Sequence, residues 1–201
     1  MIVKGDKGHG EAPRRTQADR RTATRAALIA AGRELFAAKG FAGAGREEIV
    51  ERAGVTRGAM YHHFASKEAL FRAVYEACEE DVLTHLMHAA SPAQDPKEML
   101  RLGSLAYLDV AASEEVRRIC LLDAPSVLDP EDRRELAERF GLGVIREALR
   151  ECMDAGLIRE RPVDVLAHIY LAMLLESATL VAEGRDKAEV ASVLEEMIDA
   201  L

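Results

Sequence analysis

The sequence predicts an all-α protein, with an N-terminal unit of three helices followed by a C-terminal helical bundle that dimerises. Helix-favouring Ala, Leu, Glu and Arg dominate the 201 residues, which include only six prolines and 4% aromatic residues. Apolar residues recur at helical spacing through most of the chain. No segment alternates between apolar and polar residues as a half-buried strand does, and no internal repeat is present. A helix bundle is therefore the predicted architecture.

Charge is distributed unevenly along the sequence, which indicates that the chain has two regions with different functions. The net charge is −8, yet residues 1–75 carry +6 and residues 76–201 carry −14. The three cysteines, Cys78, Cys120 and Cys152, are far apart and odd in number, as expected of reduced thiols rather than a disulfide framework. The N-terminus is polar and basic, unlike a signal peptide, so a cytoplasmic location is expected.

The first 21 residues predict a flexible basic arm, because they combine Gly, Pro and charge with few apolar residues. Two alternatives are open for this arm. It is disordered and makes no contact with DNA, or its arginines contact DNA, along the phosphates or in the minor groove. Those arginines, together with the first on the following helix, are Arg14, Arg15, Arg20, Arg21 and Arg25. A first helix is predicted over residues 22–39, ended by Gly40.

A helix-turn-helix pattern follows over residues 45–64. A short helix at 46–53 stops at Gly54, and a second one, at 56–62, starts at Thr56 as its N-cap. Seven residues are marginal as an isolated helix, so neighbours must hold the second one in place. Met60, Phe64 and Val55 are predicted to face the core. The small residues Gly58 and Ala59 keep the opposite face flat, which allows the backbone to approach base edges in the major groove.

These segments carry a resemblance to a known family. AALIAAGRELFAAKGF (26–41) and IVERAGVTRGAMYHHFASKEALF (49–71) resemble the DNA-binding domain of the TetR family of bacterial transcriptional regulators. The resemblance covers residues 22–82 and implies a homodimeric, all-helical repressor, with a divergent domain over residues 83–201 that binds a small molecule and dimerises. One departure is that Gly45 and Arg46 stand where the family has a Thr or Ser cap and an apolar residue.

The predicted contacts to double-stranded DNA lie on and beside the second short helix. Arg57 either pairs bidentately with guanine or contacts a phosphate. Lys67, at the start of the next helix, is interpreted as a phosphate contact, and Arg46 is placed within reach of one. His62 and His63 point about 100° apart on a helix, so no metal site is predicted. The full DNA-binding set is Arg46, Thr56, Arg57, Gly58, Ala59, Tyr61, His62 and Lys67.

Six further helices are predicted, with a loop at residues 123–130. They cover residues 67–90, 97–112, 114–122, 131–155, 163–183 and 187–201. The stretch 165–182 is long and apolar enough to suggest a membrane-spanning helix, but it contains Glu176, which would be costly within a membrane. It is therefore interpreted as a buried helix of a soluble protein. Because the last two helices are apolar on more than one face, they are predicted to form a four-helix bundle with a second copy of the chain.

The C-terminal domain is predicted to hold a small apolar effector, with a few polar groups orienting it. The predicted lining is Leu86, Leu102, Leu105, Tyr107, Asp109, Ile119, Phe140, His168, Leu171, Leu175 and Glu176. No catalytic motif, cofactor motif or metal set is recognisable, which argues against an enzyme.

The leading hypothesis is a repressor that this effector releases from a palindromic operator. The alternative is a DNA-binding regulator without a small ligand, controlled by a protein partner or by concentration. The identity of the effector, the operator sequence, the regulated genes and the choice between repressor and activator do not follow from the sequence.

Overall fold

The computed structural model describes residues 16–201, and helices connected by short turns make up this part of the chain. The prediction of an all-α fold is confirmed. Nine helices are present over these residues: α1 (Gln17–Gly43), α2 (Arg46–Arg52), α3 (Arg57–His63), α4 (Lys67–Ala90), α5 (Pro96–Ala111), α6 (114–127), α7 (130–154), α8 (Val163–Ala182) and α9 (Lys187–Asp199).

Helix α1 begins five residues before the predicted start, so residues 16–21 are not part of a flexible arm. Thr16 caps the helix: its hydroxyl accepts a hydrogen bond from the Asp19 amide at 3.1 Å, and the Asp19 carboxylate accepts one from the Thr16 amide at 2.8 Å. This reciprocal capping box satisfies two amides that otherwise lack partners. Arg20 and Arg21 are therefore helical. The predicted arm residues 1–15, including Arg14 and Arg15, lie outside the described residues.

Near its end α1 bends at Gly40, which has φ +70° and ψ 170°. The predicted break at this glycine is confirmed, although three helical residues follow it. A side chain at Gly40 would be strained by the positive φ, and its Cβ would also collide with the Arg118 guanidinium of α6. Gly40 is therefore the point at which another part of the chain approaches the backbone of α1.

The N-terminal unit has its own core beneath α2 and α3. Met60 and Phe64 are buried there as predicted, and Val55 is half-buried. The rings of Phe36 and Phe71 meet edge to face with their centroids 5.3 Å apart. Because this packing fixes the short α3 from behind, α3 does not depend on its own seven residues for stability.

Helix α6 is longer than predicted, α7 has the predicted length with bounds shifted by one residue, and each contains a π-helical stretch. Helix α6 consists of Glu114–Val116, the π stretch Arg117–Asp123 and Ala124–Val127. Helix α7 consists of Pro130–Ala137, the π stretch Glu138–Leu142 and Gly143–Asp154. The predicted loop at 123–130 is thus mostly helical. Pro130 is the first residue of α7, where a missing amide hydrogen costs little. Pro125 lies within α6, two residues after the end of its π stretch.

The C-terminal bundle packs α5, α7, α8 and α9 around a second core. Leu108, Leu149, Tyr170 and Leu194 are among its fully buried members. The Tyr170 hydroxyl and the Ser104 hydroxyl lie 2.7 Å apart and share a hydrogen bond inside this core. A buried tyrosine normally finds such a partner, because an unsatisfied hydroxyl would be costly.

Helix α8 is buried on one face only, so the prediction of a buried helix holds in part. By length and composition it is the one helix among residues 16–201 that could cross a membrane, with a mean hydropathy of 1.8. Only 22% of that stretch is buried within the chain. Val165 and Ile169 on α8 are 58% and 62% exposed, and Val193 and Met197 on α9 are 57% and 50% exposed. An apolar surface that extends over two helices is typical of an interface.

Candidate nucleic-acid interface and ligand cavity

The outer face of α3 is built for close approach. Thr56 caps the helix, and its hydroxyl accepts a hydrogen bond from the Ala59 amide at 3.2 Å. Gly58 is exposed, and a Cβ added there would meet only the Thr56 hydroxyl oxygen, 4.0 Å away. Glycine costs a helix about 1 kcal/mol relative to alanine, and no contact among residues 16–201 requires it here. The packing of this part of the chain therefore does not account for a glycine at position 58.

A cluster of exposed polar side chains joins α2 to α3. The Arg46 guanidinium donates a hydrogen bond to the Tyr61 hydroxyl at 3.2 Å. Arg57 lies 3.4 Å from Glu47, and both side chains are largely exposed. Hydrogen bonds from Arg46 and then from Arg57 lower the pKa of Tyr61. The structure thus brings Arg46, Arg57 and Tyr61 together, with two guanidinium groups beside the exposed face of α3.

Lys67 is folded back on the N-terminal unit. Its ammonium donates a hydrogen bond to the Phe41 carbonyl and lies 4.4 Å from the centroid of the Phe41 ring. Burial is the main cause that lowers the pKa of Lys67. A phosphate contact by Lys67 therefore competes with an existing contact to Phe41. His62, in contrast, is exposed at the end of α3.

Helix α1 contributes further positive charge beside α3, from Arg21, which the sequence analysis assigned to the arm, and from Arg25. The Arg25 guanidinium lies 5.3 Å from the centroid of the Phe64 ring. Burial lowers the pKa of His63, and the charges of His62, Arg21 and Arg25 lower it further. The signal for this placement was present in the sequence: Thr16 and Asp19 have the spacing of a capping box, which predicts that the helix starts before these arginines.

The C-terminal bundle contains an apolar cavity of about 200 Å³. Its wall includes the far half of α4, with Val82, Leu83, Leu86 and Met87, and it is completed by residues of α5, α7 and α8. Four side chains of the wall are also exposed to solvent, so the cavity opens near them: Met87, Met99, Val144 and Leu175. Flexible methionines at an opening allow ligands of different shape to pass.

Five residues of the predicted lining are in the cavity wall: Leu86, Tyr107, Phe140, Leu171 and Leu175. The other six are not among the wall residues: Leu102, Leu105, Asp109, Ile119, His168 and Glu176.

The polar residues among these six lie on the protein surface and not in the cavity wall. Asp109 pairs with Lys187 on the surface. The His168 ring contacts the Asp164 carbonyl oxygen at 2.7 Å on an exposed face, and Glu176 is exposed as well. Ile119 is fully buried in the core of the N-terminal unit. Helical spacing shows that such residues share a helix with apolar neighbours, but it does not show which face meets the cavity.

The polar groups that do line the cavity are different ones. They are Glu79, Ser104 and the three tyrosines Tyr75, Tyr107 and Tyr170. Burial raises the pKa of Glu79, while hydrogen bonding with Tyr75 and Cys120 acts in the opposite direction. The sequence analysis missed Glu79, because in the run EACEED (76–81) it looks like one more acid on a solvated face.

Helix α6 links the cavity region to the N-terminal unit. On one side, the Cys120 sulfur lies 3.6 Å from the Cys78 sulfur of α4. On the other, the Asp123 carboxylate accepts a hydrogen bond from the Phe41 amide at 2.6 Å. Helix α6 is therefore a second link between the two regions, beside α4. π-Helical stretches such as the one in α6 occur frequently at functional sites.

Comparison with known proteins identifies the family to which this architecture belongs. The family described as "Bacterial regulatory proteins, tetR family" matches residues 28–74, which include α2 and α3. The family described as "Tetracyclin repressor-like, C-terminal domain" matches residues 97–201, about half of the chain. The chain belongs to the TetR family. Proteins of this family bind DNA and form dimers, and this chain is a DNA-binding regulator of transcription.

Individual relatives extend this result. The crystal structure of a TetR-family transcriptional regulator from Pectobacterium atrosepticum is 30% identical, with a TM-score of 0.76, and the match covers 93% of this chain and 97% of that one. The transcriptional activator FasR of Mycolicibacterium smegmatis is 27% identical over 152 residues, which are 76% of this chain and 65% of FasR. The regulator FadR of Bacillus subtilis, solved in complex with stearoyl-CoA, shares the fold at 19% identity, with a TM-score of 0.73 and coverage of 87% and 97%.

Proposed function

We propose that this TetR-family protein is a cytoplasmic repressor that binds a palindromic operator as a homodimer and is released from it by a small apolar effector. The observation that carries the proposal is the position of α4. Its far half forms one wall of the apolar cavity, and its first residue, Lys67, lies three residues after Phe64 at the end of α3.

The DNA contacts are proposed from the exposed face of α3. Arg57 reads a base or a phosphate, and Gly58 allows the backbone to approach. Arg46, Tyr61 and His62 contact the DNA backbone, and Lys67 exchanges the Phe41 carbonyl for a phosphate. Thr56 and Ala59 complete the surface at the start of α3. Removal of these charges lowers affinity in a salt-dependent manner, because phosphate binding releases counterions.

The homodimer is proposed to form through α8 and α9. Their exposed apolar residues, such as Ile169 and Val193, form a surface that a second copy covers by two-fold symmetry. A dimer places two α3 helices in successive major grooves, about one DNA turn or roughly 34 Å apart. A single α3 contacts too few base pairs to select one operator, so pairing also provides specificity.

The effector is proposed to bind in the cavity and to change the separation of the two α3 helices. Helix α4 has 24 residues and is therefore roughly 36 Å long at the standard rise. A ligand beside its far half tilts it, and the movement reaches Lys67 and α3. That FadR was solved in complex with stearoyl-CoA supports ligand binding by a protein of this fold. A cavity of about 200 Å³ favours a much smaller molecule here.

The test has two stages. Sequencing of the genomic fragments that the protein retains identifies the operator. A cavity ligand is then titrated against the protein with and without operator DNA. If the ligand lowers the affinity for operator by some factor, linkage requires operator to lower the affinity for the ligand by the same factor. Equal affinities would contradict release by an effector and would favour a regulator that is controlled by a protein partner or by concentration.

A further inference from the structure

The cavity wall has a single ionisable carboxylate and no cationic side chain. Among residues 16–201, those that line the cavity include Glu79 but no Lys, Arg or His. The remaining wall is aliphatic and aromatic, with the hydroxyls of Ser104 and the tyrosines as its other polar groups. A ligand inside this cavity therefore meets one negative charge and nothing that balances it.

Glu79 differs in this respect from its acidic neighbours on α4. Glu76 forms an ion pair with Arg72 at 2.7 Å, and Glu80 forms one with Arg139 at 2.7 Å. Neither Glu76 nor Glu80 lines the cavity. Glu79 is half-buried, and the groups that interact with its carboxylate in the described part of the chain are the hydroxyls of Tyr75 and Tyr107 and the Cys120 thiol, all uncharged. A carboxylate that is removed from water without a cation is costly, and a positively charged ligand relieves that cost.

The rest of the wall suits a cation of this kind. Tyr75, Tyr107, Phe140 and Tyr170 all line the cavity, and aromatic rings attract ammonium groups through the negative potential of their faces. An anionic ligand would meet the opposite situation, since its charge would lie near Glu79 without a counter-ion in an apolar surrounding. The size of the ligand is limited as well: an engineered cavity of about 150 Å³ accommodates benzene, so about 200 Å³ admits a slightly larger molecule.

We propose that the cavity selects a small lipophilic cation, an aromatic or alkyl ammonium compound, with Glu79 as its counter-charge. The inference rests on the proposed function in one respect, namely that the cavity is where the effector binds. It adds the charge of the effector and assigns the specificity for that charge to one residue.

Three probes of similar size separate charge from shape. Benzyltrimethylammonium is cationic, neopentylbenzene is its uncharged carbon isostere, and phenylpropanoate is an anion. Calorimetric titration of the full-length dimer should show that benzyltrimethylammonium binds most tightly and phenylpropanoate most weakly. Glu79→Gln should weaken binding of the ammonium probe by roughly 10- to 100-fold, as expected for the loss of one partner of a desolvated charge pair. The same variant should leave the affinity for neopentylbenzene within about twofold, because transfer of apolar surface is unaffected.

Glu80→Gln is the matched control. It removes the same charge one residue further along α4, where Arg139 already balances it outside the cavity. The affinity for benzyltrimethylammonium should be unchanged in this variant. Equal losses in both variants would show that the general negative potential of α4 attracts the probe, and would overturn the assignment to Glu79.

A pH series with the unaltered protein tests the same point without a substitution. Burial raises the pKa of Glu79, so its charge is lost as the pH falls through that raised value. Binding of the ammonium probe should weaken in that range, whereas binding of neopentylbenzene should stay constant. The groups that face Glu79 are Tyr75, Tyr107 and Cys120, whose pKa values are all raised, so they stay neutral there.

The outcomes separate this inference from the proposed function. If all three probes bind equally, or the anion binds best, selection of a cation is refuted while release by an effector still stands. If the ammonium probe binds through Glu79 but does not release operator DNA, selection of a cation is supported and release by an effector is refuted. If no probe enters the cavity, selection of a cation is refuted, and release by an effector is decided by the titration with and without operator DNA.

Discussion

Gly103 offers a direct way to fill the cavity without disturbing the helix that carries it. It lies within α5 and lines the cavity, and a Cβ built at this position has no atom within 4 Å. Gly103→Ala should stabilise the protein by about 1 kcal/mol through helix propensity alone. In a domain of this size, that corresponds to a rise in Tm of roughly 2–4 °C.

Gly103→Leu should go further. Each additional buried methylene contributes about 0.8 kcal/mol, so the three carbons beyond alanine add at most about 2.4 kcal/mol, and some of this is lost to imperfect packing. The larger side chain occupies much of a cavity of about 200 Å³. The variant should therefore bind operator DNA normally and fail to bind a cavity ligand.

Urea denaturation followed by circular dichroism measures stability, and fluorescence anisotropy of labelled operator measures binding and release. Gly141→Ala provides the contrast: Gly141 also lines the cavity, but a Cβ there would approach Leu171 at 3.2 Å, so the propensity gain should be largely offset. If Gly103→Leu binds a cavity ligand as tightly as the unaltered protein, the ligand binds elsewhere and this reasoning fails.

Three further predictions concern the DNA surface, the dimer, and the link between the cavity region and the N-terminal unit. Arg57→Ala should cost about 1–3 kcal/mol of operator affinity and relax selectivity at one base pair if the contact is bidentate, as binding to a panel of operator variants would reveal. Ile169→Asp should give a monomer with weak operator binding, because it places a charge in the proposed interface; sedimentation of an intact dimer would contradict it. Asp123→Asn should reduce the factor by which ligand and operator weaken each other's binding, because it removes the charge that strengthens the hydrogen bond donated by the Phe41 amide; an unchanged factor in paired titrations would contradict it.

Much of the fold follows from local sequence signals. Gly40 and Gly54 both have positive φ where the sequence predicts a helix to end, and the side chain of Thr56 accepts the capping hydrogen bond expected of it. These features depend on residues within four positions of each other, so a pattern in the sequence specifies them. The burial of Met60 follows in the same way from its position on the inner face of α3.

The composition of the cavity depends on contacts between distant segments, and the sequence predicts it only in part. Asp109 and His168 are polar residues in apolar stretches, which is why they were predicted to line a pocket, yet each is satisfied on the surface. Glu79 has no such signal, because it is distinguished from Glu76 and Glu80 only by which side chains of α5, α6 and α7 are near it. Rotation of α4 about its own axis determines this, and helical periodicity does not specify it when acids occupy several faces.

The location of Glu79 also bears on how a bound ligand would act. Its carboxylate interacts with Tyr75 on α4 and with Cys120 on α6, so a cation that pairs with it competes for contacts with both helices that reach the N-terminal unit. Helix α6 then meets that unit through Asp123 and the Phe41 amide, and the Phe41 carbonyl accepts the hydrogen bond from Lys67. A chain of hydrogen bonds thus extends from α6 to the first residue of α4, beside the face of α3 that is proposed to read DNA. Because the backbone of one residue at the α1 bend, Phe41, makes both contacts through its amide and its carbonyl, we expect movement of α6 to affect the exposure of Lys67 to a phosphate.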